Sequence, residues 1–241
     1  MKTLIKAELF KLRKSTAYKV LFFTYLITEA VIQINSIGNS VVYPKYNPTY
    51  TGSEWLRQCD LTLLYLVAVL FFISFYVNGD FVKHTFYGVL MCGASRKKAF
   101  LAKLTAVFAG TVPLLLASVL TGTTLWSIHA GFGMDLGWKA VCLVAKVIAM
   151  QSLALLMLIS NGMLFAVIAK SRLSAFAWSF GTLYVLGVLR GNIGHIIQIP
   201  ALRDLLLTLL SLSCLNLETA LLAIVLKLVV AGYIFEQFDL K

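Results

Sequence analysis

Few residues of this chain have the side-chain types and the spacing of a catalytic or binding site. Most of those that do are charged residues within or beside apolar segments. Of the 241 residues, 60% are hydrophobic and only 13% are charged. Glu29 lies inside a long apolar stretch, where a carboxylate marks a functional site by default because its transfer out of water is costly. A second group of charges forms a basic loop that runs from Asn78 to Lys103. These two features carry the functional interpretation.

Motifs of known catalytic and metal sites are missing from the sequence. It contains no G-x-x-x-x-G-K-[ST] loop for nucleotide phosphates, no H-E-x-x-H metal motif and no G-x-S-x-G nucleophile elbow. His84, His129 and His195 are scattered, and no pair of cysteines has C-x-x-C spacing. We therefore predict that the chain is not an enzyme and that it binds no metal or cofactor itself. A disulfide or free apolar thiols are both left open for Cys59, Cys142 and Cys214.

The apolar segments predict an all-α integral membrane protein with a single transmembrane domain over residues 1–241. A span needs about 20 apolar residues, and the chain is long enough for six spans. We predict the spans at 17–37, 61–77, 102–128, 141–168, 173–189 and 219–235. The apolar run 205–212 is too short to cross alone, so it is predicted to be a re-entrant or extracytoplasmic helix before the last span.

Residues 1–16 have the pattern of a helix that lies in the membrane interface. Ile5, Leu9 and Leu12 share one helical face. The other face is basic and suits anionic headgroups, with Lys2, Lys6 and Arg13. A cleaved signal peptide is the competing interpretation, but the apolar stretch that follows is too long for one. We expect the segment to be retained.

The placement of the basic residues predicts the orientation in a cytoplasmic membrane. The side of the N terminus would hold fourteen of them: Lys2, Lys6, Lys11, Arg13, Lys14, Lys19, Lys83, Arg96, Lys97, Lys98, Lys103, Lys170, Arg172 and Lys241. The opposite side would hold five: Lys45, Arg57, Lys139, Arg190 and Arg203. This bias puts both termini and the 78–101 loop in the cytoplasm. Because the charges cluster at span ends, the net charge of +11 does not indicate nucleic-acid binding.

The order of these features resembles the ABC-2 type of ABC transporter permease. An E-x-x-K-x-x-K run over residues 8–14 precedes the first span, and GASRKKAFLAK over residues 93–103 follows the second. In that family an interfacial elbow helix precedes the first span. The loop after the second span carries a coupling helix that seats in a groove of the ATP-binding subunit. Among these permeases, the chain is most similar to the small ones of lantibiotic-immunity and bacitracin-resistance exporters.

One family motif is present here in altered form. The family has Glu-x-x-x-Gly-Thr before the basic run, and this chain has D-F-V-K-H-T over residues 80–85. Asp80 keeps the negative charge, whereas His84 stands in place of the glycine and changes the local backbone requirement. The six-span order and the apolar hairpin before the last span extend the resemblance over nearly the whole chain.

The resemblance implies that the chain is the permease subunit of an ATP-driven exporter in the cytoplasmic membrane. ATP and Mg²⁺ would be bound by a separate ATP-binding subunit, and a second permease copy or paralogue would complete the pathway within membrane lipid. The cargo would be an amphipathic antimicrobial peptide or a lipophilic drug. Contacts to the ATP-binding subunit would come from Asp80, Phe81, Lys83, Thr85, Phe86, Tyr87, Arg96, Lys97 and Lys98. The alternative for the last three is that they hold anionic headgroups.

Glu29, Gln33 and Lys227 are the candidate residues of a transport path. Glu29 would contact a cationic cargo or pair with Lys227 or Lys146, and Gln33 equally fits hydrogen bonding between helices. Two functions of other classes remain open. One is a proton-coupled secondary transporter that uses Glu29, and the other is a non-transporting scaffold or sensor subunit of the membrane.

Overall fold

All regular structure in the described part of the chain is helical. The computed structural model describes residues 1–43, 49–58, 63–82, 95–134, 138–169, 171–196 and 217–237. Within these ranges there are eight helices and no strand, which confirms the predicted all-α class. The helices are α1 (Lys2–Lys14), α2 (Thr16–Val42), α3 (Gly52–Gln58), α4 (Leu63–Val82), α5 (Arg96–Ala130), α6 (Trp138–Ile168), α7 (Arg172–Ile196) and α8 (Leu217–Gln237).

The helices identify a multi-pass membrane protein. In the described residues, α2, α5, α6 and the Leu63–Asp80 part of α4 are each long and apolar enough to cross a membrane. α7 and α8 coincide with the last two predicted spans, and α8 has a shorter apolar core, Ile224–Phe235. A number of six spans therefore stays a prediction. The predicted 205–212 helix lies outside the described residues.

The helices are longer than the predicted spans that they contain. A span ends where the apolar side chains end, whereas the hydrogen-bond ladder of a helix continues into polar residues. α4 therefore extends to Val82 and α5 already begins at Arg96. As a result, the segment between them is shorter at both ends than the predicted 78–101 loop.

A serine separates the first two helices. Ser15 has an extended backbone, and its Oγ accepts a hydrogen bond from the Tyr18 N–H at 3.3 Å, so it caps α2. On α1, Leu12 is buried against the protein, whereas Leu9 is 38% exposed. Glu8, one turn before Leu12, is half-buried on the Leu12 face. The interfacial position of α1 stays a prediction.

The chain forms two compact units. The first comprises Met1–Lys14, Val69–Ala109 and Leu153–Lys241, and the second comprises Ser15–Ala68 and Gly110–Ser152. In the first unit, the core of α6 and α8 contains Met157, Ile224, Leu153, Leu156 and Leu228. In the second unit, Tyr25 of α2 and Tyr65 of α4 meet edge to face, with ring centroids 6.2 Å apart.

The short helix α3 is held by a capping box and by the turn after α5. Thr51 and Glu54 bond reciprocally: the Thr51 N–H donates to Glu54 Oε2 at 2.9 Å, and the Glu54 N–H donates to Thr51 Oγ1 at 3.4 Å. The backbone N–H of Thr51, with its hydroxyl, lowers the pKa of the Glu54 carboxyl. Because the folded-state pKa is the lower one, this stabilisation is present above the usual Glu value of about 4.3. It is lost as the pH falls through the folded pKa.

Two glycines form the turn against which α3 docks. Gly131 and Gly133 have φ values of 77° and 75°. The Gly52 N–H donates to the Gly131 carbonyl at 3.0 Å, and the Ser53 N–H donates to the Phe132 carbonyl at the same distance. A Cβ at Gly133 would lie 2.6 Å from Thr51 Oγ1, whereas a Cβ at Gly131 would meet no atom within 4 Å.

We expect Gly133→Ala to destabilise the protein more than Gly131→Ala. Both substitutions place a side chain at positive φ, which costs about 1 kcal/mol. Only Gly133→Ala also pushes into the Thr51 capping residue, for a total of roughly 2–3 kcal/mol. Thermal unfolding in detergent, followed by tryptophan fluorescence, measures the difference. Equal losses for the two variants would contradict the described packing of Thr51.

Candidate functional site

Five side chains of the first unit form a charge cluster around Asp80, in the last turn of α4. Asp80 Oδ1 accepts a hydrogen bond from Lys11 Nζ of α1, and Oδ2 accepts one from Lys103 Nζ of α5. Lys103 Nζ also lies 3.5 Å from Glu8 Oε2. Tyr76 Oη donates to Glu8 Oε2 at 2.6 Å, and the tyrosine ring lies 5.0 Å from Lys103 Nζ. Among the described residues of the charge cluster, two cations face two anions.

Burial makes the charge cluster energetically important. The Lys103 side chain is 2% exposed and the Asp80 side chain 7%, whereas Lys11 is 45% exposed. An ammonium group at such burial is tolerated only when it is paired and hydrogen-bonded, and removing one partner of a buried pair costs about 3–5 kcal/mol. Lys103 therefore requires Asp80 and Glu8, and the outer lysine contributes less.

The charge cluster links α4, which precedes residues 83–94, to α5, which follows them. Asp80 precedes that segment by three residues, and Lys103 lies two turns into α5 after it. Glu8 and Lys11 add α1 to the same contact. A displacement of either end of the segment must therefore move α1, α4 and α5 together or break a buried ion pair.

The same end of α4 also contacts the connection between α6 and α7. With its amide nitrogen turned toward the end of α6, Asn78 donates to the carbonyls of Ala166 and Ala169, at 2.7 and 3.3 Å. These are carbonyls that the end of a helix leaves without an intrahelical partner. Arg172, the first residue of α7, lies over the Phe75 ring at 5.9 Å from its centroid. The last two turns of α4 thus join α6 and α7 as well.

The predicted coupling residues fall into three groups. Asp80 is buried in the charge cluster, and Phe81 belongs to the last turn of α4. In the first turn of α5, Lys97 and Lys98 are exposed and Arg96 is half-buried. The remaining four lie outside the described residues: Lys83, Thr85, Phe86 and Tyr87.

The sequence analysis did not identify the other members of the charge cluster as site residues. Lys103 was counted among the basic residues of the cytoplasmic loop, and Glu8 and Lys11 were noted only as a run before the first span. One signal was available, because only ten residues are acidic against 21 lysines and arginines. In such a chain, a carboxylate near the end of an apolar helix is expected to pair with a nearby lysine.

A second polar site, the Glu29 network, lies in the second unit. Glu29 is fully buried, and its Oε1 accepts hydrogen bonds from Gln33 Nε2 at 3.0 Å and from Ser118 Oγ at 3.4 Å. Gln33 Oε1 in turn accepts one from Trp126 Nε1 at 3.2 Å. Glu29 Oε2 has no hydrogen-bond partner among the described residues. One buried oxygen of the Glu29 carboxyl is thus left without a hydrogen bond in the part of the chain that the structure describes.

The predicted cationic partners of Glu29 lie elsewhere in the described helices. Lys146 is exposed on α6, and no ion pair joins it to Glu29. Lys227 is half-buried on α8, in the first unit, and its pairing with Glu29 stays a prediction. Both donors to the Glu29 carboxyl are therefore neutral groups.

Comparison with protein-family models, curated proteins and solved structures gives no match for this chain. The geometry of the two polar sites therefore carries the functional argument. Among the described residues, no three histidine, cysteine or acidic side chains come together to hold a metal ion. Cys142 is exposed with a free thiol, and Cys59 and Cys214 lie outside the described ranges.

We expect the variants Asp80→Asn and Lys103→Met each to destabilise the protein by about 3–5 kcal/mol, because each removes one partner of a buried ion pair. The double variant should recover about 1–3 kcal/mol of the summed loss, since it removes both charges. Thermal unfolding in detergent measures the three variants against the wild type.

Lys11→Met is the control for this double-mutant cycle. The Lys11 ammonium group is partly exposed, so we expect this variant to lose about 1 kcal/mol or less of folding stability. Strictly additive losses in the double variant would show that Asp80 and Lys103 do not interact in the folded protein.

Proposed function

We propose that this chain is the membrane subunit of an ATP-driven exporter, docked to a separate ATP-binding subunit through residues 83–94 and the helix ends on either side. The charge cluster is the observation that carries the proposal. It joins α1, α4 and α5 directly beside the segment that resembles the coupling loop of ABC-2 permeases. A subunit that pushes on this segment would move three helices as one.

The strength of the buried ion pairs in the charge cluster suits the transmission of force from a partner subunit. Transmitting force from a soluble subunit to a membrane span requires a link that does not slip when pushed. A surface ion pair is worth only about 0–1 kcal/mol, whereas breaking the pairing of Lys103 exposes the protein to the much larger cost of a buried unpaired charge. Asp80 would then hold the start of residues 83–94 in place, and residues after Asp80 would contact the partner.

Exposed charges beside the charge cluster supply a surface for the partner. Lys98 is exposed in the first turn of α5, where it could meet acidic side chains of the partner. The aromatic residues Phe86 and Tyr87 are predicted anchors, because buried aromatic side chains dominate protein interfaces. ATP and Mg²⁺ would be bound by the partner, where hydrolysis would drive the switch between two states of the membrane helices.

The Glu29 network supplies the candidate contact with cargo. A buried carboxyl with one open acceptor suits an amine or guanidinium of an amphipathic peptide, which would enter from the bilayer. One chain would form half of the pathway, so a second copy or a paralogue would complete it. Under this proposal Glu29 and Gln33 line the path.

We expect the tagged chain, purified in a mild detergent from cells that express its neighbouring genes, to bring an ATP-hydrolysing subunit with it. Phe86→Ala combined with Lys98→Glu should lower recovery of that subunit at least tenfold, because an anchor is lost and a contact charge is reversed. Quantitative mass spectrometry and an ATPase assay of the eluate measure the effect.

Lys139→Glu is the matched control for the charge reversal. Lys139 is exposed like Lys98 but lies on the opposite predicted side of the membrane. It should leave recovery unchanged. A chain that purifies alone from the same cells would rule out the exporter, and equal losses for both reversals would rule out the docking surface.

The open acceptor of Glu29 favours one second function, a proton-coupled secondary transporter. A buried carboxyl that gains and loses a proton as it changes access is a common means of coupling in transporters. This function would need no ATP-binding subunit. It would place the working residue in the second unit and leave the charge cluster a structural role.

Proteoliposomes that contain only this chain separate the two functions. The exporter proposal predicts no pH-driven proton flux, in the wild type or in Glu29→Gln, because the driving subunit is absent. Flux that is present in the wild type, lost in Glu29→Gln and retained in the control Thr124→Ala, whose exposed hydroxyl bonds to carbonyls of its own helix, would establish the secondary transporter instead. A pH-sensitive dye inside the vesicles reports the flux.

A further inference from the structure

An apolar groove with a basic end lies between the first half of α5 and the apolar core of α8, within the first unit. Its volume is about 490 Å³, within the range of ligand-binding clefts. Its walls are formed by Lys97, Phe100, Leu101, Leu104, Val225, Leu228, Val229, Gly232 and Tyr233. Only the lysine among these carries a charge, and neither the proposed docking surface nor the Glu29 network uses the apolar part.

The groove is charged at one end and apolar along the rest of its length. Lys97 is in the first turn of α5, and Leu104 follows it by seven residues, or about 10 Å along the helix axis. Lys97 is the cationic residue at this end of the groove. Leu101 and Leu104 continue into the part of α5 that is apolar enough to lie in a membrane. A ligand that fits must therefore have a negative group at one end and a hydrocarbon chain at the other.

Gly232 opens the floor of the groove. Phe100 packs on this position, and a Cβ at Gly232 would lie 3.7 Å from its ring, an ordinary contact. Phe100 is fixed in turn by Phe235, with ring centroids 5.3 Å apart. Val225 and Val229, on the α8 wall, are 59% and 62% exposed. The groove is thus preformed at its floor and open toward the surroundings of α8.

Charge complementarity favours a lipid as the occupant of the groove. One end of the groove is cationic, and the other continues into the part of α5 that is apolar enough to lie in a membrane. A molecule with an anionic headgroup and a hydrocarbon chain matches the groove at both ends.

We propose that this groove binds one anionic phospholipid, with the phosphate at Lys97 and an acyl chain against Leu101, Leu104 and Val229. Basic residues at a membrane surface attract anionic headgroups, and the apolar walls bury the chain. The test of this site needs neither a partner subunit nor transport, so it can fail without the exporter proposal failing.

The test is lipid retention by the full chain. Protein is reconstituted in nanodiscs of equal phosphatidylglycerol and phosphatidylcholine, re-extracted in mild detergent, and its retained lipid is quantified by mass spectrometry. We expect the wild type to retain phosphatidylglycerol several-fold over phosphatidylcholine. Lys97→Gln should abolish that preference, and Lys98→Gln, whose residue does not line the groove, should keep it. An equal preference in the two variants would overturn the proposal.

A second pair of variants tests the apolar part. Gly232→Phe fills the floor of the groove and should lower retention of both lipids, whereas Gly232→Ala fits beside Phe100 and should not. Gel filtration verifies that each variant is folded. Unchanged retention in a folded Gly232→Phe protein would overturn the proposal, and so would disulfide crosslinking between two copies through Val229→Cys, which would assign the groove to a second chain.

Discussion

The structure of the first unit depends on the charge of one lysine. The Lys103 ammonium group is 2% exposed, and such a group can exist only where carboxylates replace the water that it has lost. Asp80 and Glu8 meet this requirement from two other helices, and the Tyr76 ring adds a favourable contact. Since none of these groups can be satisfied alone, α1, α4 and α5 are tied into one arrangement at the ends of the 83–94 segment.

The Glu29 network solves the same problem of a buried charge in a different way. Its carboxyl is surrounded by neutral donors, an amide and a hydroxyl, and retains an open oxygen. The two polar sites therefore differ in chemistry. The described charges of the first pair with one another, whereas the carboxyl of the second is held by neutral donors alone.

Apolar length predicted the helical class and the approximate position of the long helices, because both follow from the cost of unpaired backbone groups in lipid. It did not predict which charged residues face inward. Glu8 was noted in the sequence only as part of a charged run, yet it packs toward Lys103 and Tyr76, which need its carboxylate. Side-chain type alone cannot reveal such a choice, since it depends on partners more than 60 residues away.

The length of α5 gives bilayer thickness a direct effect on the protein. Its 35 residues extend for about 52 Å, against a hydrocarbon core of about 30 Å. Even at a tilt of 40° the helix is longer than the core, so one or both ends stand among headgroups or in water. Lys103 lies about 10 Å from the N-terminal end. A thicker membrane would bring this lysine and its carboxylates closer to hydrocarbon and strengthen their attraction, and a thinner one would admit water. The lipid composition of the membrane would thereby change how strongly the charge cluster holds α1, α4 and α5 together.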